Sequence, residues 1–371
     1  MRGKAPTAGL AYRPRENVAS SGTDASTVIV FGASGNTGEA LASTLGNAGI
    51  RVVGVGRRSS ALEGVPKATY VQADLTDARA SLAALDSVLD DTPTAAINLA
   101  SVQPSILPYD PNQALFREAN DYFLNNIVTL STAFEICRMF GVRQYIGFST
   151  HREIELAWSR EDSVSQDAPF SPNVHGDHAL YAVTKVSSTL ATEHFGKRLD
   201  MQTVVLRLPM IYLATETDTF LHRGVRRRMP YLQMIHDALV SLQLEAWGDQ
   251  GIRRDYLHGA DLCDLVLAIL REMPERHATY NVGTGKPAST LDVANAISEV
   301  FTRGKATIKL RPEKSVYKCA TYDIAPLEQQ FAFSPRGIHS LFLTLKRDII
   351  DNNLLDKWGW PSSAVARLQN H

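Results

Sequence analysis

Val28-Ile29-Val30-Phe31-Gly32-Ala33-Ser34-Gly35-Asn36-Thr37-Gly38 is an apolar run that ends on a glycine and passes two more, three residues apart, into an amphipathic stretch from Asn36 to Ala48. This order predicts a buried strand that turns at once into a helix. Gly32 allows the tight turn, Gly35 lets a pyrophosphate approach the backbone, and Gly38 lets helix and strand pack closely. The helix N-terminus favours negative charge. Ser34, Asn36 and Thr37 complete the turn, so all six residues are candidate dinucleotide contacts.

Outward from this turn, short β-rich apolar runs alternate with helical patterns, the order of a parallel sheet covered on both faces. Strands are predicted at Thr27 to Gly32, Arg51 to Gly56, Thr69 to Gln72, Ala95 to Ala100, Gln144 to Ser149, Gln202 to Leu208 and Thr279 to Val282. Helices are predicted at Asn36 to Ala48, Asn112 to Phe140, Tyr181 to Leu199, Ala260 to Glu272 and Leu291 to Thr302. The pattern loosens over Pro209 to Asp255 and Lys305 to Phe333. The expected fold is α/β: a doubly wound parallel (Rossmann) sheet with a smaller C-terminal substrate-binding lobe. Residues 27–208 form the sheet domain, with 255–303 returning to it. Residues 209–254 and 304–352 form the lobe, 1–26 a flexible leader and 353–371 a tail.

The 371 residues are 44% hydrophobic with a formal net charge of −1, so nothing in the charge points to a polyanion partner and no nucleic acid is expected. Arg226-Arg227-Arg228 with Arg223, and Arg253-Arg254, are local clusters fit at most for a small phosphate. Cys137, Cys263 and Cys319 have neither metal-ligand spacing nor disulfide-scaffold density, so reduced buried thiols and no metal are expected. No apolar run reaches the roughly 18 residues needed to span a bilayer, and a soluble, cytoplasmic protein is expected. The leader, with Arg2, Lys4, Arg13 and Arg15 against Glu16 and Asp24, also has the composition of a transit peptide.

The end of the second strand selects between dinucleotides. A carboxylate there binds the ribose 2′-hydroxyl of NAD, yet the chain reads Val53-Gly54-Val55-Gly56-Arg57-Arg58-Ser59. Two guanidinium groups and no acid favour the 2′-phosphate of NADP over NAD; a solvated basic turn is the other reading. Asp74-Leu75 follows the third strand, where Asp74 meets the adenine amine or caps a helix.

In Tyr181-Ala182-Val183-Thr184-Lys185 the i, i+4 spacing puts a phenol and an ammonium on one helix face. A tyrosine that ionises at about pH 10 must shift by about 3 units, or about 4 kcal/mol, to act as a base near neutrality. Lys185 and a cationic nicotinamide together are suited to supply that shift. By itself the pair also fits an ordinary amphipathic helix. Upstream, Tyr145-Ile146-Gly147-Phe148 ends in Ser149-Thr150, hydroxyls where a nicotinamide would lie in a doubly wound fold. One of them can bond the reacting oxygen while Tyr181 moves the proton.

With these residues in hand, the chain resembles the extended short-chain dehydrogenase/reductase family, in its nucleotide-sugar epimerase/dehydratase branch, from Thr27 to Asn352. The resemblance rests on the glycine turn, Asn98-Leu99-Ala100-Ser101, Asn126, Phe148-Ser149-Thr150, and Tyr181 with Lys185. It continues in Val205-Leu206-Arg207-Leu208-Pro209, in Gly248-Asp249-Gln250-Gly251 with Arg254-Asp255-Tyr256-Leu257-His258 and Asp261, in Tyr280-Asn281-Val282-Gly283-Thr284-Gly285, and in Thr321-Tyr322-Asp323-Ile324. It implies that Tyr181 is the acid/base, that Lys185 lowers its pKa and holds the nicotinamide ribose, and that Thr150 orients the substrate oxygen, with Ser149 as fallback. It places Leu99, Ala100, Ser101 and Asn126 at the cofactor, Asn126 serving there or only stabilising the fold. It places Gln103, His151 and Arg254 at the substrate. Arg254 then grips a diphosphate, or else pairs with Asp255 or Asp261.

The departures are as informative. Met210-Ile211-Tyr212-Leu213-Ala214 stands where the family commonly has an asparagine and a Gly-Pro step. His151-Arg152-Glu153 replaces the Asp-Glu of the 4,6-dehydratases, so removing water would fall to His151 or Glu153, which are otherwise solvent-facing loop residues. The resemblance implies hydride transfer on a nucleotide-sugar, as epimerase, dehydratase or reductase, in a homodimer paired through its long helices. An NADPH-dependent reductase of a non-nucleotide carbonyl and a non-catalytic NADP-binding regulator are the alternatives.

Overall fold

The computed structural model describes residues 26–103, 115–159, 163–176, 178–222, 225–314 and 321–369. Residues 1–25 of the leader, 112–114 at the start of the long helix, Arg223 and Cys319 lie outside them. The first half runs β1 (Thr27–Phe31), α1 (Asn36–Asn47), β2 (Arg51–Gly56), β3 (Ala68–Gln72), α2 (Ala78–Asp86) and β4 (Ala95–Asn98). Then come α3 (Leu115–Phe123), a π-helical segment (Leu124–Val128), α4 (Thr129–Phe140), β5 (Gln144–Thr150), a 3-10 segment (His151–Ser159), α5 (Ala179–Leu199) and β6 (Gln202–Leu208). The second half contains β7 (Met210–Tyr212), β8 (Thr219–His222), β9 (Val225–Arg228), α6 (Pro230–Ser241), β10 (Gln243–Trp247), β11 (Tyr256–His258), α7 (Gly259–Arg271) and β12 (Ala278–Asn281). It closes with α8 (Thr290–Thr302), β13 (Thr307–Arg311), α9 (Ala325–Phe331), α10 (Ile338–Asp351), α11 (Leu354–Lys357) and α12 (Ser362–Gln369).

Seven strands form one parallel sheet in the order β12-β6-β5-β4-β1-β2-β3. The order reverses between β1 and β4, which opens a crevice at their carboxyl ends where open α/β sheets bind ligands. Strands covered on both faces read as continuous apolar runs, and every residue of β1 is buried. On one face Leu41 and Leu45 of α1 pack with Leu262, Val266 and Ile269 of α7. On the other, Leu82 and Leu85 of α2 pack with Phe134, Ile136 and Cys137 of α4.

The lobe has its own core, and its membership corrects the expected boundaries. Residues Val293, Ala294, Ile297 and Phe301 of α8, expected to return to the sheet domain, pack with Leu232, Ile235 and Leu239 of α6 and Leu341 and Phe342 of α10. Conversely, Leu327 and Phe331 of α9, assigned by sequence to the lobe, join the core beside α7. The expected tail is structural as well: Leu354, Leu355, Trp360, Ala364 and Leu368 are buried in the lobe core, and Trp360 Nε1 donates to Asp218 Oδ2 at 3.0 Å. Among the described residues no helix is long and apolar enough to cross a membrane.

Candidate active site

The glycine turn is built for close approach. Gly32 has φ +78°, and a Cβ on it would lie 2.7 Å from Ala100 N and 2.8 Å from Leu99 C, so β1 turns directly against the loop after β4. At Gly38 a Cβ would lie 2.3 Å from Gly32 O. Gly35 is the N-cap of α1 and no side chain caps the helix, so its first N–H groups, at Asn36, Thr37 and Gly38, are left for an anion. Ser34 lies against the end of β2, its Oγ 2.5 Å from where a Gly56 Cβ would stand. This cradle fits a dinucleotide pyrophosphate.

Beside it, Arg57 Nη1 donates to Asn125 Oδ1 (3.1 Å) and Arg58 Nη1 pairs with Glu39 Oε1 (3.2 Å), both at the surface. Asp74 is exposed and accepts from the N–H (3.0 Å) and hydroxyl (2.9 Å) of Thr76. The cap of α2 is Asp77, whose side chain accepts from Ala80 N, so the capping alternative for Asp74 does not hold. Leu75 is buried in the sheet core.

Across the switch point, β5 delivers Ser149 and Thr150, both buried, to the carboxyl end of the sheet. The Thr150 hydroxyl lies near enough to the Tyr181 phenol to lower its pKa, so β5 and α5 bring the two hydroxyls together. The Ser149 hydroxyl is buried without a partner, and a ligand oxygen can satisfy it. Lys185 Nζ donates to Phe148 O (3.0 Å) and lies 6.0 Å from the Tyr181 ring centroid.

Without a dinucleotide, burial sets the resting state of both groups. Burial raises the Tyr181 phenol to about 12, against the lowering effect of the nearby Thr150 hydroxyl. Burial likewise lowers Lys185 to about 8, partly opposed by Glu153. Desolvation disfavours the charged form of both groups. Tyr181 therefore rests as a proton donor.

The residues expected to face solvent do not. Glu153 is fully buried; it accepts from Thr189 Oγ1 (2.6 Å) and from Arg207 Nε (3.0 Å). His151 lies with Nδ1 3.2 Å from Leu208 O, which is only an acceptor, so Nδ1 carries the hydrogen and Nε2 is an unpartnered acceptor. Burial and the neighbouring Arg152 lower its pKa to about 3. Asn126, in the π-helical segment, accepts from Val102 N (2.7 Å) and donates to Val102 O (3.1 Å) and Thr184 Oγ1 (3.0 Å). It ties the loop after β4 to α5 and spends its polar groups doing so. Ser101, Asn126 and Lys185 line a small cavity of about 20 Å³. Gln103 is exposed.

Arg254 donates from Nη2 to Thr290 Oγ1 (2.9 Å). Its alternative ion-pair partners are engaged elsewhere. Asp261 pairs with Arg336, and Asp255 accepts from Tyr256 N, Thr284 N and Oγ1, Gly285 N and Tyr322 N. The sequence carried no local signal for Asp255 as this knot or for Glu153 with Arg207, since their partners are distant in the chain.

A family model described as the NAD dependent epimerase/dehydratase family matches residues 28–283. Among solved structures, a UDP-glucose 4-epimerase from Thermotoga maritima, with UDP-glucose, has a TM-score of 0.68 at 19% identity, covering 86% of this chain and 97% of that one. A UDP-glucuronic acid 4-epimerase from Bacillus cereus, in complex with NAD, has a TM-score of 0.63 at 22% identity, covering 85% and 96%. MoeE5, in complex with UDP-glucuronic acid and NAD, has a TM-score of 0.64 at 21% identity, covering 87% and 99%. At these identities the likeness is one of fold.

Proposed function

The chain belongs to the NAD-dependent epimerase/dehydratase family, as an enzyme of the extended short-chain dehydrogenase/reductase type, and from that premise we propose that it oxidises or reduces a sugar carbon of a nucleotide-sugar with Tyr181 as acid/base. The observation that carries this is the meeting of the Thr150 hydroxyl, buried at the end of β5, with the Tyr181 phenol and Lys185 of α5 at the carboxyl end of the sheet. A bound nicotinamide supplies the hydride acceptor or donor. The N–H groups at the start of α1 hold the pyrophosphate, and Lys185 holds the ribose. Thr150 orients the substrate oxygen while Tyr181, resting protonated, gives its proton to that oxygen in reduction and takes one in the reverse direction. Arg254 is assigned to the diphosphate.

Within this reaction class the site favours epimerisation or net reduction over dehydration. Eliminating water needs a further acid and base; Glu153 is held by Arg207 and Thr189, and His151 is too weakly basic at a pKa of about 3. Arg57 and Arg58, with no acid at the end of β2, favour NADP over NAD, although binding a 2′-phosphate requires Arg58 to leave Glu39. A homodimer is supported by the apolar side chains exposed on the long helices: Leu115 (82%), Phe116 (71%), Phe123, Leu124 and Val128, with Leu190 on α5. Replacing Leu115 and Phe116 with Asp should convert a dimer to a monomer on size exclusion with multi-angle scattering.

Tyr181→Phe tests the mechanism: turnover of a nucleotide-sugar should fall by about 10²–10⁴-fold with dinucleotide affinity nearly unchanged. Unchanged turnover would remove the acid/base role. Calorimetry with UDP, GDP, CDP and dTDP tests the substrate class, since failure with all four would favour the non-nucleotide carbonyl reading that Met210 to Ala214 motivates. Tightly held dinucleotide with no net change in nicotinamide absorbance during turnover would exclude the reductase.

A further inference from the structure

The carboxylate of Glu153 occupies a place that neither the family pattern nor the proposed chemistry requires. It is fully buried, three residues beyond Thr150, and both of its oxygens are engaged. Thr189, which donates to Oε1, lies on α5 one turn beyond Lys185 and two turns beyond Tyr181. Arg207, which donates to Oε2, lies on β6 in register with Ser149 and is held on its other side by Asn281 Oδ1 (2.8 Å). One carboxylate thus joins the strand end, the helix and the neighbouring strand that together hold the candidate catalytic groups.

We propose that Glu153 is a positioning residue for the acid/base pair: its buried charge, anchored by Arg207 and Thr189, holds Lys185 as an ammonium and fixes the catalytic face of α5 against β5. The inference rests on the roles assigned above to Tyr181 and Lys185. A lysine removed from water is pushed toward neutrality, and a neutral Lys185 would lose its hold on a ribose hydroxyl and its field at the phenol. The charged and titratable groups facing Glu153 are Arg207 from β6, Lys185 and Tyr181 from α5, and Arg152 from its own segment, itself paired with Glu155 (2.8 Å). Around Lys185, the side chains contributed by β4 and the π-helical segment to the small cavity there are the neutral Asn98 and Asn126, and among the described residues Glu153 is the negative charge that acts on Lys185. An uncharged isostere can keep the anchors: a glutamine at 153 can accept from Arg207 through Oε1 and donate to the Thr189 hydroxyl through Nε2.

The test is a ¹³Cε-lysine NMR titration of the full-length protein without substrate or cofactor, with Lys185 assigned by its loss in Lys185→Arg. In the unmodified chain its resonance should titrate near pH 8. In Glu153→Gln the midpoint should fall by about one pH unit, while a merely structural role would leave it in place. An unchanged or higher midpoint in the folded variant overturns the proposal. Should Glu153→Gln not fold, the double variant Glu153→Gln with Arg207→Gln is read against Arg207→Gln alone, so that the opposing guanidinium is missing from both, and the same fall or its absence decides. Because no turnover is measured, a negative result leaves the hydride-transfer reading standing, and failure of that reading leaves this measurement intact.

Discussion

Asp255 gives the sharpest test of how the lobe is seated. Only 2% exposed, it immediately precedes β11. Its Oδ1 accepts from Tyr256 N (2.8 Å), Thr284 N (2.7 Å) and Thr284 Oγ1 (2.8 Å), and its Oδ2 from Gly285 N (3.1 Å) and Tyr322 N (3.2 Å). Asp255→Asn keeps the shape but makes one oxygen an amino group. The three donors on the Oδ1 side hold the amide oxygen there, so the new NH₂ faces the N–H groups of Gly285 and Tyr322. Two donors, Tyr322 N buried and Gly285 N partly buried, then lack acceptors, at about 1–3 kcal/mol each, and a total loss of about 3 kcal/mol is expected. Urea unfolding followed by far-UV circular dichroism measures it, and calorimetry should show nucleotide-sugar binding weakened more than dinucleotide binding. A loss under about 1 kcal/mol, the range of ordinary substitutions, would mean that the knot does not hold these segments.

Gly38→Ala should abolish dinucleotide binding in calorimetry or prevent folding, because its methyl would meet Gly32 O at 2.3 Å; retained affinity would refute the close-packing argument. Arg57→Ala with Arg58→Ala should weaken NADP by at least about tenfold, from loss of charge-assisted bonds to the phosphate, and leave NAD nearly unchanged; equal effects on both would remove the NADP preference. Lys185 is lowered from 10.5 to about 8 on folding, so between those pH values the unfolded chain binds more protons and stability rises with pH. Lys185→Met should flatten that rise in urea midpoints, and an unaltered slope would contradict the burial of its charge.

The sheet domain was legible because β1, β2, β5 and β6 are apolar runs of five to seven residues, and because the glycine turn follows the first of them directly. The lobe was not, since its strands are short, pair with one neighbour and carry charge: Val225–Arg228 reads VRRR and Thr307–Arg311 reads TIKLR. Helix α2, unassigned from sequence, is nine residues long and Ala-rich, with three residues buried. The apolar face of α8 showed that it was a helix but not which core it would join. At the candidate site, type and spacing singled out Thr150, Tyr181 and Lys185, and the fold brings them near one another. The burial that raises the phenol in the chain alone was not legible, because it comes from packing and not from a neighbour in the sequence. Glu153 was read as a substitute acid/base or a solvent-facing loop residue, and its buried pairing was not legible because the guanidinium that holds it lies 54 positions away.

The π-helical turn at Leu124–Val128 makes one continuous helix serve two unrelated surfaces. Each such turn takes up one residue more than an α-turn, rotating the succeeding helix by about 100°. Before it, only Tyr122 of α3 is buried; after it, nine of the twelve residues of α4 are. Deleting a single residue here would swing either Phe134 and Cys137 out of the interior or Leu115 and Phe116 away from their present outward bearing. This stretch should therefore accept altered side chains more readily than any change in its length.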